Sequence, residues 1–129
     1  MEKEFDKWNE LKKNIEKRNK IIFYKEREIW FCSIGHNIGS EENGKNKPFE
    51  RPVIIIKKIN NNLFLGIPTS TKLKEDDKNY FKIEYSNKFY SALINQVRVF
   101  STKRLNRKIC MLNKECFNVL LNKILDFIK

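Results

Sequence analysis

The stretch that decides the fold of this chain consists of two hydrophobic runs, EIWFCSI at residues 28–34 and RPVIIIKKI at residues 51–59. Both runs are rich in β-branched and aromatic residues, which favour β-strands. The polar loop between them, residues 35–50, shows no hydrophobic periodicity, and loops of this length in small domains are usually functional or disordered. The sequence therefore predicts two strands joined by a loop that is a candidate for function.

Further strands are expected beyond this pair. Three asparagines at residues 60–62 suit a hairpin turn, because Asn tolerates positive φ. The strands predicted after that turn occupy residues 63–69, 80–85, 89–100 and 108–112, with a short helical turn at residues 102–105.

A helix is predicted over residues 1–22, before the first strand. Its apolar side chains fall near one face, while Lys and Glu occupy the others. These apolar residues are Phe5, Trp8, Leu11, Ile15 and Ile22. A short polar helix needs a surface to pack on, since isolated helices of this length are marginal in water. Two roles stay open: covering one side of the β domain, or contacting another protein chain.

A second helix is predicted at the end of the chain. Asn113 is a good N-cap and Glu115 sits favourably in the first turn. The residues that would form its single apolar stripe are Phe117, Leu120, Leu121, Ile124, Leu125 and Ile128.

Many short strands closed by one amphipathic helix are typical of a small SH3-like β-barrel. The fold class predicted is therefore mainly β with helices: a small SH3-like β-barrel with a C-terminal helix and an extra N-terminal helix. We expect residues 1–26 to form the N-terminal helical extension and residues 27–129 to form the barrel domain.

The composition indicates one globular domain with a polyanionic partner. The chain has 129 residues, of which 40% are hydrophobic, and a net charge of +11. A chain of this size buries roughly two-thirds of its unfolded surface. A domain this basic usually binds nucleic acid or an acidic protein segment. The alternative is that the charge only reflects a sequence rich in Lys, Asn and Ile.

Several classes of protein are disfavoured by the sequence. Residues 1–20 are charged throughout, without the apolar core of a signal peptide, and the longest aliphatic run is only Val53–Ile56. The three cysteines show no CxxC spacing, and the chain has a single histidine. We therefore expect a cytoplasmic protein without disulfides, metal, cofactor or membrane contact.

Five blocks in fixed order carry a resemblance to a known family. They are EIWFCSI at residues 28–34, GSEENG at 39–44, RPVIII at 51–56, GIPTSTK at 66–72 and ALINQVR at 92–98. Together they resemble the MazF/PemK/Kid family of toxin endoribonucleases from bacterial toxin–antitoxin pairs. The resemblance spans roughly residues 28–128, and it leaves the N-terminal extension without a counterpart.

The resemblance implies a barrel of the MazF/CcdB type and a specific activity. Relatives cleave single-stranded RNA sequence-selectively and without metal, which leaves a 2′,3′-cyclic phosphate and a 5′-hydroxyl. They work as homodimers, and the acidic tail of an antitoxin competes with RNA for the dimer groove. The partners implied for this chain are therefore single-stranded RNA, an acidic antitoxin and a second copy of itself.

Arg51 is the first candidate for catalysis. A metal-independent ribonuclease uses the 2′-hydroxyl of RNA as nucleophile, and a single histidine excludes a two-histidine acid/base pair within one chain. Positioned charge must then stabilise the phosphorane, and the planar fork of Arg grips phosphate oxygens in two places. Arg51 matches the catalytic arginine of the family. The structural alternative is an arginine at a strand edge, paired with Glu50 or Glu42.

Ser70 is the second candidate, because it takes the place of the catalytic Thr of many relatives when the sequences are aligned on Pro68. Its hydroxyl can donate a hydrogen bond to phosphate, and Thr71 stands beside it. The structural alternative is a run of Thr and Ser selected for β propensity and turn hydrogen bonds.

Other residues are weaker candidates for catalysis or RNA binding. Asn95 and Gln96 stand where the family often has Asp-Gln, and Asn95 cannot act as the general base proposed for that Asp. Glu41 matches a family Glu, while His36 is a possible acid or base on its own chemistry alone. The basic residues expected to bind RNA are Lys45, Lys47, Lys72, Lys74 and Arg98, flanked by Lys103, Arg104, Arg107 and Lys108.

Two other functions remain open at this point. A gyrase inhibitor of the CcdB type shares the barrel, but that type relies on a tryptophan near its C-terminus, and here Trp8 and Trp30 lie in the first quarter of the chain. A barrel that binds RNA without cleaving it is the other alternative, favoured by Asn95.

Overall fold

Seven strands form one antiparallel sheet in the computed structural model, which describes residues 4–19, 21–35 and 49–129. The strands are β1 (Glu28–Ser33), β2 (Glu50–Lys58), β3 (Leu63–Ser70), β4 (Tyr80–Tyr85), β5 (Lys88–Leu93), β6 (Arg98–Ser101) and β7 (Leu105–Met111). The helices are α1 (Phe5–Glu16) and α2 (Lys114–Ile128), with 3₁₀ turns at Ile94–Gln96 and Thr102–Arg104. Neither helix is long and apolar enough to cross a membrane.

The strands follow the order β4-β5-β3-β2-β1-β7, and β6 pairs with the first half of β3. The partner of β3 therefore changes along its length: Leu63–Gly66 pair with β6, whereas Thr69 and Ser70 pair with β5. Within the described ranges no pairing joins β4 to β7, so the sheet is open. The prediction of a mainly β protein with a helix at each end is confirmed, but the sheet is not a closed barrel.

Two apolar clusters lie on opposite faces of this sheet, because successive residues of a strand point to opposite sides. In β2, Ile54 and Ile56 contribute to the cluster beneath α2, while Val53 and Ile55 contribute to the other cluster. We call the surface that carries Val53 and Ile55 the inner face. Its buried members also include Trp30, Cys32, Phe64, Phe100 and Leu105.

Helix α2 begins where the sequence predicts. The Asn113 side chain accepts hydrogen bonds from the main-chain N–H groups of Glu115 and Cys116, at 2.8 and 3.2 Å. Phe117, Leu120 and Ile124 are buried against the sheet. The predicted apolar stripe is too wide, however: Leu125 and Ile128 remain 56% and 68% exposed, because they lie beyond the edge of the contact.

Helix α1 is shorter than the predicted helix over residues 1–22. Trp8 and Ile15 are buried with Phe49, while Phe5 is 46% exposed. The helix ends at Glu16, and Ile22 and Tyr24 pack instead on the inner-face cluster. β-branched and aromatic residues are poor helix formers, so burial on the sheet outweighs continued helix there.

The turns explain the remaining differences from the predicted strands. The Asn60 side chain accepts bonds from the N–H groups of Asn62 and Leu63, which forms the expected hairpin turn without positive φ. Positive φ occurs instead at Ser86 and Asn87, 50° and 60°, as in a two-residue type I′ turn.

The strand predicted over residues 89–100 is wrong as a single element. A 3₁₀ turn at Ile94–Gln96 divides it into β5 and β6. The turn is needed because β5 pairs with β4, whereas β6 pairs with the first half of β3. Strand β7 begins at Leu105, three residues before the predicted start at residue 108. Leu105 pairs with Cys32 of β1.

Candidate active site

Arg51 and Ser70 meet on the inner face, where β2 begins and β3 ends. The ladder between these antiparallel strands ends at the pair of Val53 with Pro68. The same register carried two residues further sets Arg51 opposite Ser70. The Arg51 guanidinium donates to the main-chain carbonyl of Thr69 at 3.4 Å, which fixes the side chain across β3. The structure thus brings together the two residues that the sequence analysis predicted as catalytic.

The same row of the sheet continues into β5 and β4. Ser70 pairs with Ser91, and Ser91 pairs with Lys82. Residues that pair directly across an antiparallel sheet share a face. Arg51, Ser70, Ser91 and Lys82 therefore form one line across three strand boundaries, which we call the arginine–serine row.

The row is recessed at one end and exposed at the other. Arg51, Ser70 and Ser91 keep only 7%, 6% and 1% of their surface, whereas Lys82 is exposed. The Lys82 ammonium lies over the ring of Phe89, 4.3 Å from its centroid, and Phe89 is 47% exposed. An accessible cation with an aromatic ring thus marks the outer end of the row.

The residues after Ser70 form the exposed approach to the recessed pair. Thr71, Lys72 and Lys74 are all exposed. The N–H of Lys72 donates to the Ser70 hydroxyl at 3.2 Å, and the N–H of Lys74 donates to the Ser91 hydroxyl at 3.0 Å. A serine oxygen that accepts a bond still keeps its own proton to donate, for example to a phosphate oxygen.

Thr69, the neighbour of Ser70, points to the opposite face, where its hydroxyl forms hydrogen bonds within the protein. Its hydroxyl lies 2.9 Å from the Tyr85 hydroxyl and 3.3 Å from the Pro52 carbonyl. Burial raises the pKa of Tyr85, so this phenol stays neutral. The Thr69 side chain therefore serves the packing of β3 on β4.

Glu50 lies on the face opposite Arg51, because adjacent strand residues alternate. Its carboxylate accepts two bonds from Arg107, at 2.8 and 3.2 Å, and one from the Asn106 amide at 3.1 Å. Asn106 also donates to the Ser33 hydroxyl at 2.9 Å. The described partners of Glu50 are thus Arg107 and Asn106. Glu42, the other partner that the structural alternative supposed for Arg51, lies outside the described residues.

Arg98 and Arg104 are two further cations of this region. The Arg98 guanidinium lies over the Phe100 ring at 4.6 Å, and Arg104 donates to the Ser33 carbonyl at 2.9 Å. Burial lowers the pKa of Arg104, and the positive charge of Arg98 lowers it further. Such a pair favours an anionic ligand.

The other predicted site residues fall into two groups. Asn95 is exposed and Gln96 is half-buried in the 3₁₀ turn before β6, and the main-chain N–H of Asn95 donates to the Asn79 carbonyl at 3.3 Å. The Lys74 ammonium lies 4.7 Å from the centroid of the Tyr80 ring. Four predicted residues lie outside the described part of the chain: His36, Glu41, Lys45 and Lys47.

The cysteines and acids of the described ranges form no metal site, since no group of three potential ligands occurs there. Cys32, Cys110 and Cys116 are free thiols, and burial raises the pKa of each. Cys32 pairs with Arg51 across β1 and β2 but is completely buried. Burial raises its pKa and so disfavours the thiolate, the form that a nucleophilic cysteine needs.

Sequence reasoning missed three contributors to this region: Ser91, Glu50 as the partner of Arg107, and the position of Arg104 beside Ser33. Ser91 had no motif to mark it, because it enters the row only through the pairing of β5 with β3. The alternation of side chains along residues 50–56 could have placed Glu50 and Arg51 on opposite faces of the sheet. Only the tertiary fold brings Arg107 to Glu50.

The fold and the site together define a class: a small, basic, antiparallel β protein with a recessed arginine and serine on one face of the sheet. The family model described as PemK-like, MazF-like toxin of type II toxin-antitoxin system matches residues 25–128. The chain therefore belongs to the PemK-like and MazF-like toxins. No curated protein matches it.

Solved structures support the fold. An endoribonuclease from a mycobacterial species, in complex with its cognate antitoxin, matches with a TM-score of 0.63 and 8% identity, over 82% of this chain and 95% of that chain. The Mycobacterium tuberculosis toxin MazF-mt6 matches with a TM-score of 0.60 and 14% identity, over 79% of this chain and 96% of that chain. At such low identity these similarities establish the fold alone.

Proposed function

We propose that the protein is the toxin of a toxin–antitoxin pair and a metal-independent, sequence-selective endoribonuclease. It cleaves single-stranded RNA in the cytoplasm to leave a 2′,3′-cyclic phosphate and a 5′-hydroxyl. The observation that carries the proposal is the placement of Arg51 opposite Ser70 on one face of the sheet, within a chain of this toxin family.

Arg51 and Ser70 have complementary roles in this reaction. The 2′-hydroxyl gives its proton to solvent water as its oxygen forms a bond to phosphorus. The bond from phosphorus to the 5′-oxygen breaks, and that oxygen takes up a proton from solvent water. Negative charge develops on the phosphoryl oxygens in between, and a recessed guanidinium stabilises it strongly because little water competes. The Ser70 hydroxyl donates a second hydrogen bond to the same group. Asn95 cannot accept a proton at neutral pH, so we assign it no role as a base.

The basic residues bind the flanking RNA. Lys72 and Lys74 neutralise phosphates at the approach to the recessed pair, and Arg98 adds charge on the same face. An unpaired base can stack on the exposed ring of Phe89, beside the Lys82 ammonium. Stacking of this kind requires single strands, which supports the choice of substrate.

The partners proposed are a second copy of the chain and an acidic antitoxin. The net charge of +11 fits both RNA and an acidic inhibitor. The mycobacterial endoribonuclease with a similar fold was solved with its cognate antitoxin, which supports a protein inhibitor for this chain as well.

The test is single-turnover cleavage of one single-stranded RNA and its duplex form, both in EDTA, with analysis of the product ends. We expect cleavage of the single strand to a cyclic phosphate, and little cleavage of the duplex. A requirement for Mg²⁺ or products with a 3′-hydroxyl would contradict the chemistry. Tight binding without cleavage would favour the RNA-binding alternative.

A further inference from the structure

The segment between α1 and β1 presents two large apolar side chains to solvent. Ile21 is 81% exposed and Phe23 is 90% exposed. The alternate residues, Ile22 and Tyr24, pack on the inner-face cluster. This alternation is that of a strand-like segment with one covered side and one open side. Large apolar residues exposed side by side usually mark an interaction site.

The main chain at the start of this segment is not paired with other described parts of the protein. Among the described residues, Ile21, Ile22 and Phe23 make no main-chain hydrogen bond. The first main-chain bonds come at its end, where Lys25 N–H binds Glu28 and the Tyr24 carbonyl accepts from Lys58. Unpaired N–H and C=O groups in a strand-like segment are a template for another strand.

Positive charge surrounds the segment. Grooves of about 960 and 710 Å³ lie along it. Their described lining carries one carboxylate, Glu28, and six cations: Arg18, Lys25, Lys58, Lys103, Arg107 and Lys108. Three of these cations already have a carboxylate partner: Lys108 lies 3.4 Å from Glu28, Arg107 lies 2.8 Å from Glu50 and Lys103 lies 3.8 Å from Glu16. Arg18, Lys25 and Lys58 supply the remaining positive charge of the lining.

We propose that residues 21–25 bind an extended acidic segment of a partner protein. Its main chain pairs with that of Ile21–Phe23, its apolar side chains contact Ile21 and Phe23, and its carboxylates face the surrounding cations. RNA would use the cations and the Phe23 ring, but it offers no strand for the main chain and no match for the aliphatic Ile21. A polypeptide satisfies all three features.

This surface is distinct from the arginine–serine row. Residues 21–24 precede the part of the chain that matches the toxin family, which begins at residue 25. The chemistry of the occupant stands on the segment itself, whereas its identification with the antitoxin rests on the proposed function. An antitoxin held here would recognise this chain through a feature outside the family-matched region.

The test is fluorescence anisotropy of a labelled acidic peptide, EELEVELEE, titrated with the full chain. We expect binding that weakens with added salt, and binding at least tenfold weaker to the Ile21→Ser, Phe23→Ser double variant. A matched control variant, Val119→Ser with Leu125→Ser, changes two exposed residues of α2 and should bind as the wild type does. A control peptide, EESESESEE, keeps the charge and should bind at least tenfold more weakly.

Four results would overturn the inference: no binding of EELEVELEE, equal binding to the double variant, displacement of the peptide by single-stranded RNA whose own binding needs Ile21 and Phe23, or a change of oligomeric state in the double variant on light scattering. RNA cleavage by the wild-type chain is measured separately. Its absence would defeat the proposed endoribonuclease without changing the peptide result.

Discussion

Glu50 and Arg51 are neighbours in β2, yet they belong to different parts of the molecule. Glu50 is held by Arg107 and Asn106 on the face opposite the inner face. Arg51 lies on the inner face, between Cys32 of β1 and Ser70 of β3. Both are nearly buried, at 8% and 7% exposure.

The comparison teaches that burial of a charge does not by itself indicate function. The Glu50 carboxylate has charged and amide donors arranged around it, as a stabilising group needs. Arg51 contacts a main-chain carbonyl and stands in line with two hydroxyls, an arrangement that suits an anionic ligand. The same degree of burial therefore predicts opposite consequences of mutation.

The largest effect is expected for Arg51→Ala, which should slow single-turnover cleavage by about 10²–10³-fold. The reason is loss of the guanidinium that meets the developing phosphorane charge, worth about 3–4 kcal/mol of barrier. The far-ultraviolet circular dichroism should stay that of the wild type.

Arg51→Lys sharpens this test, because it keeps a positive charge but loses the planar fork. We expect it to recover only part of the lost rate. If Arg51→Ala cleaves at the wild-type rate while folded, the assignment of Arg51 is wrong.

Glu50→Ala should show the reverse pattern, with lower stability and a smaller loss of activity per folded molecule. Removing the carboxylate leaves the Asn106 amide with only the Ser33 hydroxyl as acceptor, and leaves Arg107 without its ion pair. Because the Arg107 side chain is 60% exposed, water replaces part of this interaction. We expect a loss of about 1–3 kcal/mol in the free energy of unfolding, measured in urea.

The matched control for Glu50 is Glu84→Ala, an exposed glutamate of β4 whose loss should change stability by less than about 0.5 kcal/mol. Equal stability of Glu50→Ala and Glu84→Ala would refute the structural role of Glu50.

Ser70→Ala should have an intermediate effect on cleavage, about tenfold, because a neutral hydroxyl contributes less than a charged group. Ser91→Ala is the matched control: Ser91 lies next in the row, accepts an equivalent bond from a main-chain N–H and is equally buried. We expect Ser91→Ala to retain more activity than Ser70→Ala. The opposite order in single-turnover assays would move the catalytic hydroxyl to β5.

The sequence predicted much of this fold because its local signals agree with the tertiary structure. The runs that begin at Glu28 and Arg51 are strands, Asn113 caps α2, and residues 80–85 form β4 as predicted. Prediction failed where tertiary contacts decide. The helix predicted over residues 1–22 ends at Glu16, and Ile22 packs on the sheet instead, a gain in burial that local periodicity does not show.

The candidate site was partly predictable, because two of its residues belong to sequence motifs. Arg51 and Ser70 were found through their resemblance to a family pattern, and strand pairing then placed them together. Ser91 and Lys82 join the row only through the register of β3, β5 and β4. Partners of Glu50 come from β7, more than fifty residues away in sequence. No periodicity in the sequence encodes contacts of that range.

The smallest effect is expected for His36→Ala, which should change cleavage by less than about tenfold, or roughly 1.4 kcal/mol. His36 is the single histidine of the chain and the residue whose ordinary pKa lies nearest neutrality, so it is the obvious rival to Arg51. It lies outside the described residues, and the family resemblance gives it no role. The measurement is single-turnover cleavage by His36→Ala and Arg51→Ala side by side, over pH 5.5 to 8. If charge stabilisation by Arg51 dominates, the His36 variant keeps the pH profile of the wild type, because the guanidinium does not titrate in this range. An inactive His36→Ala beside an active Arg51→Ala would replace the arginine-centred reaction with a histidine-centred one.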